Sequence, residues 1–321
     1  MGVVVTGSLA FDYLMAFPGR FREHFLPERL DVLSVSFLVD SMRVQRGGCA
    51  ANIAYNLALL GERPTIMATA GRDFGEYRRW LEEQGVDTSG IVEIEDEFTA
   101  SFFVSTDLEN NQIASFYIGA MGRAHELSFR NLNHREIDLV IISPNDPQAM
   151  VNYAAECKEL GIPYIYDPSQ QIIRLTGEQL IEGTRGARML IVNEYEFEML
   201  KKKTGLSEEA LRRLAEIVIV TKGERGSTIM VKDEEIDIPP APPRQVVNPT
   251  GVGDAYRAGI IKGILHHLPW DVVGRMASLS ATYVIESDGP QCRRYSLEEF
   301  VSRYEQHFGP CAELKRVLLK R

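Results

Sequence analysis

No stretch of this 321-residue chain approaches the roughly 20 consecutive apolar residues that a membrane-spanning helix needs. Cysteine is scarce: Cys49, Cys157, Cys292 and Cys311 stand far apart, with no Cys-x-x-Cys pair and no histidines at ligand spacing. That usage points to reduced thiols in a cytoplasmic protein. Positive charge is in deficit. A net charge of −10 and a pI near 5.3 argue against a nucleic-acid or anionic-membrane surface, leaving room only for a local basic pocket around a phosphorylated ligand. The first residues lack the basic flank and length of a signal peptide. They formally match a myristoylation pattern, but residues 3–9 read as a buried strand entering a fold. No internal repeat or low-complexity segment interrupts the chain. Two familiar phosphate loops are also missing: no Gly-Lys-Ser/Thr closes a Walker A motif, and the Gly-x-Gly that is present lacks the third glycine and the downstream acid of a dinucleotide fingerprint.

What is present suits one large α/β domain with a small appendage, or two ordinary domains. Hydrophobic residues make up 45% and charged residues 25%, both ordinary for a globular enzyme. The most informative stretch is Asn248-Pro-Thr-Gly-Val-Gly-Asp-Ala-Tyr-Arg-Ala-Gly259. Gly251 and Gly253 flank a single residue, so successive N–H groups can turn into one concavity. An apolar helix is expected from Ala255 to His266, which would set those groups at a positive helix end, with Asp254 beside them. The pattern describes an anion hole with its own base.

Taken in order, residues 3–10 read as a central parallel strand, with Asp12 just past its C-terminal end, where open α/β sheets gather ligands. Residues 34–40 and 42–44 suggest short strands. Gly47 and Gly48 then lead into a helix of small and apolar residues that ends at Gly61, with Asn52 one turn in. A strand over 65–70 and a helix ending near Gly85 follow. Runs 99–105 and 112–118, joined by Glu109-Asn110-Asn111, form a hairpin signal. By strand alternation Phe102 shares a face with Val104, and Phe116 with Ile118, so Phe102 and Phe116 could make a flat apolar slot for a heterocyclic base, with Met121 either lining it or serving as core. Strands at 139–142, 164–166, 189–192 and 217–220 alternate with helices. Gln170 and Gln171 lie past the second of these strands, where amides could read a purine edge or cap a helix. The paired His266-His267 at a helix end reads as an interaction with that helix's C-terminus.

Several segments together carry a resemblance. Gly47-Gly48-x-x-x-Asn52, Asn193-x-x-Glu196, Thr221-x-Gly223-x-x-Gly226 and the stretch from Asn248 to Gly259 resemble, in order, the motifs of the ribokinase-like (PfkB) carbohydrate and nucleoside kinases. Val252 departs from the small residue usual in its slot. The resemblance implies an α/β fold with a three-layer α/β/α core, a mainly parallel sheet and a small β-sheet lid. Core segments 1–12, 47–97 and 119–321 would form a Rossmann-like domain, with 13–46 and 98–118 inserted as the lid. It also implies ATP-dependent transfer to a hydroxyl. Asp254 would be the base, with Gly251, Val252 and Gly253 as the hole. Ser8, Asp12, Gly47, Gly48, Asn52, Phe102, Phe116, Met121, Gln170 and Gln171 would contact substrate. Asn193, Thr221, Gly223, Gly226, Gly251 and Gly253 would contact ATP, and Glu196 would reach Mg2+ through water, with K+ a further candidate cation. Three stretches, including Asp167-Pro-Ser-Gln-Gln171, look most like bacterial adenosine kinases, so adenosine is the expected substrate. A free sugar such as ribose or fructose, and a non-catalytic nucleoside-binding role, stay open as alternatives. Exposed lid edges suggest a lid-to-lid homodimer.

Overall fold

Strand β1 (Gly2–Thr6) is apolar and nearly fully buried because it lies inside the main sheet, with helices on both faces. Its alternate side chains enter different cores: Val3 and Val5 join one, Val4 the other. Each such burial contributes roughly 1.5–3 kcal/mol. The computed structural model describes residues 2–26, 32, 34–133, 136–232 and 234–319. Met1 lies outside them, as do a few positions of the expected lid segment 13–46 and core segment 119–321, whereas Gly2–Thr6, the rest of the formal myristoylation pattern, is strand β1, as the strand reading expected.

In chain order the elements are β1, β2 (Ala10–Ala16), β3 (Ser41–Gly47), α1 (Cys49–Leu59), β4 (Thr65–Gly71), α2 (Gly75–Glu83), β5 (Ile91–Ile94), β6 (Ala100–Thr106) and β7 (Gln112–Tyr117). Then follow β8 (Ile137–Ile142), α3 (Pro147–Leu160), β9 (Tyr164–Tyr166), α4 (Gly177–Thr184), β10 (Met189–Asn193), α5 (Glu194–Thr204), α6 (Glu208–Arg212) and β11 (Ile217–Thr221). The chain finishes with β12 (Ser227–Val231), β13 (Glu234–Ile238), α7 (Val252–Leu265), α8 (Trp270–Ile285), α9 (Leu297–Phe308) and α10 (Ala312–Leu319). The main sheet runs β13-β12-β11-β10-β9-β8-β1-β4-β5, parallel except for the hairpin edge made by β12 and β13. Helices α1, α7 and α8 pack on one face and α3, α4 and α5 on the other, giving the expected three-layer α/β/α architecture. The chain goes outward from β1 to β4 and β5, then returns to β8 on the opposite side. The switch point therefore lies between β1 and β8, the place in open α/β sheets where ligands gather beyond the strand ends.

Helix ends are set by local chemistry. The Asp146 carboxylate accepts from Ala149 N–H at 3.0 Å ahead of Pro147, and Gly161 stops α3 in the left-handed region. Capping boxes start α4 at Thr176 and α5 at Asn193.

A second sheet, β3-β2-β6-β7, stands apart from the first. The small sheet enters the chain earlier than the expected lid start at residue 13: Asp12, expected just past the first strand's end, sits inside β2, which pairs in parallel with β6. Residues 34–40 form no strand, whereas Ser41–Gly47 is one continuous strand. Residues 41–47 pair with β2 along its whole length, from Ala16 opposite Ser41 to Ala10 opposite Gly47, so that edge offers 34–40 no strand partner.

Candidate active site

Helix α7 begins one turn earlier than its apolar pattern indicated, at Val252, with Gly251 as N-cap at φ 78°. A side chain there would strike Pro290, whose Cβ lies 2.3 Å from the position a Gly251 Cβ would take. Asn248 Oδ1 accepts from Thr250 N–H at 2.9 Å and shapes the approach. Val252 N–H, expected to line the hole, instead bonds Pro249 O at 3.3 Å. The N–H groups of Gly251, Gly253 and Asp254 carry no hydrogen bond among the described residues and form the open helix end.

Asp254 is half-buried, and loss of water pushes its carboxyl up to about 6, against the pull of Arg257 and of the hydrogen bond from Asn52. Asn52 Nδ2 donates to Asp254 Oδ2 at 2.8 Å, and Asn52 Oδ1 accepts from Gln291 Nε2 at 2.8 Å. Gln291 also reaches Tyr77 Oη at 2.6 Å, and Tyr77 bonds Gly47 O at 3.0 Å. An unbroken polar chain thus links the last residue of β3 to Asp254. Asn52, expected to reach a substrate hydroxyl, is first the orienter of the carboxylate.

Gly48 holds φ 94°, and its ideal Cβ would lie 2.4 Å from Ser8 O. This close approach lets β1 deliver caps to α1: Ser8 Oγ accepts from Cys49 N–H at 3.0 Å, and Ser8 O from Ala50 N–H at 3.1 Å. The Ser8 hydroxyl is therefore engaged as a cap, which a substrate role assigned from sequence did not anticipate. Burial also pushes the Cys49 thiol well up, with Asp254 adding to the effect, so it is no thiolate nucleophile.

The lid register aligns Gln45, Asp12, Phe102 and Phe116 across β3, β2, β6 and β7, so all four share one sheet face. Burial raises Asp12 to about 6. Phe102 is half-buried, and Phe116, directly opposite it, is 49% exposed. Met121 lies elsewhere, buried in a small cluster with Ala10 and Ala100 at the lid base. Gln45 Nε2 donates to Asp288 O at 2.9 Å, and Arg43 pairs with Asp288 at 2.6 Å, tying the lid to the loop that carries Pro290 and Gln291.

Asn193 and Glu196 form the capping box of α5, each side chain accepting from the other's backbone N–H at 2.8 Å. Glu196 Oε1 additionally accepts from Ser169 Oγ at 3.0 Å. Both carboxylate oxygens are thereby engaged. Among the described residues no group of three His, Cys, Asp or Glu side chains is arranged to hold a metal. Gln170 is exposed and meets Ser169 at 3.2 Å, whereas Gln171 is buried with Oε1 unpartnered, so the two amides do not act together. Thr221, Gly223 and Gly226 form the tight β11–β12 connection, where Gly226 N–H bonds Gly223 O at 3.0 Å. His266 pairs with Glu62 at 2.7 Å, beside Lys262, rather than with the helix terminus.

Sequence reasoning missed Asp167, Arg257, Tyr77 and Gln291. Arg257 carried a signal: a guanidinium inside an apolar helix requires a buried counter-charge, and Asp167 at the end of β9 supplies it in a bidentate pair. Gln291 carried none, since nothing in its surroundings marks one loop amide over another.

Residues 10–294 match the profile of the pfkB family carbohydrate kinases. A nucleoside kinase of Methanocaldococcus jannaschii is 30% identical over 95% of this chain and 97% of its own. The structure of Burkholderia thailandensis nucleoside kinase in complex with inosine superposes with a TM-score of 0.85 at 36% identity, covering 96% of this chain and 98% of that one. The same enzyme in complex with ADP-inosine gives 0.84 at 37%, covering 96% of each chain. Kinases of this family use ATP with a divalent metal. A glycine-framed helix end, a half-buried carboxylate at its first turn and a match over most of the chain make this protein a member of the pfkB family of carbohydrate kinases, a phosphotransferase acting on a hydroxyl group.

Proposed function

We propose that this enzyme transfers the γ-phosphoryl group of ATP to the 5′-hydroxyl of a nucleoside, a purine nucleoside such as adenosine or inosine first. The observation that carries the reading is the alignment of Asp12, Phe102 and Phe116 in one row of the small sheet, a carboxylate for ribose hydroxyls beside two aromatic faces for a base. It is supported by the inosine-bound relative at 36% identity.

Asp254 accepts the 5′-hydroxyl proton, and its depth of burial suits that role better than an ordinary carboxylate would, since a pKa near 6 brings the base closer to neutral pH. Asn52 fixes the carboxylate through one amide N–H and keeps the second for a ribose hydroxyl. The free N–H groups of Gly251, Gly253 and Asp254 receive the charge that develops on the phosphoryl oxygens. Asp12 and the backbone at Gly47 and Gly48 hold the ribose, Gln171, whose buried Oε1 has no partner, is the amide left for substrate, and Asn193, Thr221, Gly223 and Gly226 border ATP. Magnesium, when bound, neutralises the phosphates. With its two oxygens already engaged, Glu196 suits contact with Mg2+ through water, the mode a strongly hydrated ion prefers. Exchange of K+ for Na+ in the assay tests the monovalent cation.

The other face of the small sheet presents Met42, Val44, Phe103 and Ile113, all exposed, and a second copy of the chain through the lid is the proposed cover. Four free thiols fit a cytoplasmic setting. Incubating the enzyme with ATP, Mg2+ and a panel of nucleosides, ribose and fructose, while following ADP release, tests the acceptor. Nucleosides should support turnover and free sugars should not. Turnover confined to sugars refutes the reading.

A further inference from the structure

Arg257 lies one helical turn beyond Asp254 and is only 7% exposed, while its partner Asp167 is 1% exposed. Nε and Nη2 are both spent on the Asp167 carboxylate, Nη2 at 2.6 Å from Oδ1. Nη1 carries no hydrogen bond among the described residues, and a methyl group added to Gly253 would come within 2.7 Å of it. The free edge of a buried, rigidly gripped guanidinium therefore borders the hole made by Gly251, Gly253 and Asp254. Packing alone does not account for this arrangement, because a buried ion pair rarely stabilises a fold more than an apolar pair of the same volume. Nor does neutralisation of Asp167, which a lysine could achieve without a planar fork aimed sideways.

We propose that Arg257 is the side-chain donor of the anion hole: Asp167 locks its guanidinium so that Nη1 meets the phosphoryl oxygens during transfer. This deepens the kinase reading above and rests on it, but it holds for any hydroxyl acceptor. The same fixed charge acts on Asp254. The groups facing that carboxylate are Asn52 and Cys49 from α1, Asp167 from the end of β9, and Arg257 from its own helix, and Arg257 is the only cation among them. Removing it leaves burial and the Asp167 charge unopposed, so the base ionises at higher pH.

Three variants test this: Arg257→Gln, Arg257→Lys, and the double change Asp167→Asn with Arg257→Gln, which leaves no unpaired buried charge and carries the test if the single glutamine variant does not fold. Turnover is measured with whichever acceptor the native enzyme uses best, so a native enzyme that accepts a sugar and no nucleoside sinks the nucleoside reading while leaving this test intact. For Arg257→Gln and the double variant, kcat should fall by about 10²- to 10³-fold, the effect of losing one donor from such a hole, with acceptor KM changed less than about threefold. The acid limb of the kcat profile should also move to higher pH, further in Arg257→Gln than in the double variant, which loses the opposing Asp167 charge as well. Arg257→Lys should keep the acid limb near its native position and recover only part of the rate. A folded glutamine or double variant with kcat within tenfold of native, or with an unmoved acid limb, overturns the proposal.

Discussion

Replacing Asp254 with asparagine separates what the carboxylate does for the reaction from what it does to the fold. The folded carboxyl is pushed from 3.8 to about 6 by burial. Below pH 4 it is protonated in both folded and unfolded chains. Between pH 4 and 6 the unfolded chain ionises first, so unfolding releases a proton and stability falls as pH rises; above 6 the folded protein carries the full penalty. At 1.36 kcal/mol per pKa unit that penalty is up to about 3 kcal/mol, corresponding to about 4 °C in Tm for a chain of this length. The substituted amide would retain an oxygen to accept from Asn52 Nδ2, so the hydrogen bond survives the change. Asp254→Asn should therefore melt at the same temperature as the native protein near pH 4 and several degrees higher at pH 7.5, while kcat falls by orders of magnitude and nucleoside binding changes little. Paired thermal melts and turnover assays across that pH range check both halves. A variant that is no more stable at pH 7.5, or one that retains near-native kcat, refutes the reasoning. The native kcat should itself decline as pH falls through about 6, because the base must be ionised.

Phe102→Ala removes one wall of the slot and should weaken nucleoside binding by about 10- to 100-fold, the usual worth of one stacked base, with little effect on ribose; titration calorimetry with both ligands decides, and equal losses favour a sugar site. Gly48→Ala forces a side chain into a positive φ and against Ser8 O, so it should cost at least about 1–2 kcal/mol from the backbone alone, seen as a lowered denaturant midpoint. An unchanged midpoint would mean that the β1–α1 approach relaxes freely. Val44→Glu places charge on the exposed lid face, which is 51% exposed at that residue, and should convert a dimer to monomers in light scattering while leaving the melting temperature of the monomer intact. A native protein that is monomeric at all concentrations removes the lid-to-lid proposal.

The core strands were legible because residues such as those of 189–192 and 217–220 are apolar without interruption, a pattern that only a two-sided buried sheet explains. The existence of helix α7 after Gly-Val-Gly, though not its exact start, and the hairpin that carries Phe102 and Phe116 were legible for similarly local reasons. Strand β2 was not. Ala10 to Ala16 alternates weakly, and its structure comes from pairing with β3 and β6, both distant along the chain. Ser8, Asn52 and Met121 show the limit for side chains. Sequence placed each near the site, but long-range packing decided that one caps a helix, one orients a carboxylate and one fills the lid base. The Asp167–Arg257 pair joins positions 90 residues apart, and only the demand of a buried charge for a partner pointed toward it.

In the proposed reaction a nucleoside presents its 5′-hydroxyl to Asp254 while ATP supplies the phosphoryl group. Phosphorus NMR of the product formed from inosine or adenosine with ATP and Mg2+ tests it most directly. A single nucleoside 5′-monophosphate should form with the native enzyme and be essentially absent with Asp254→Asn. Phosphate on another hydroxyl, or equal product from the variant, would contradict it.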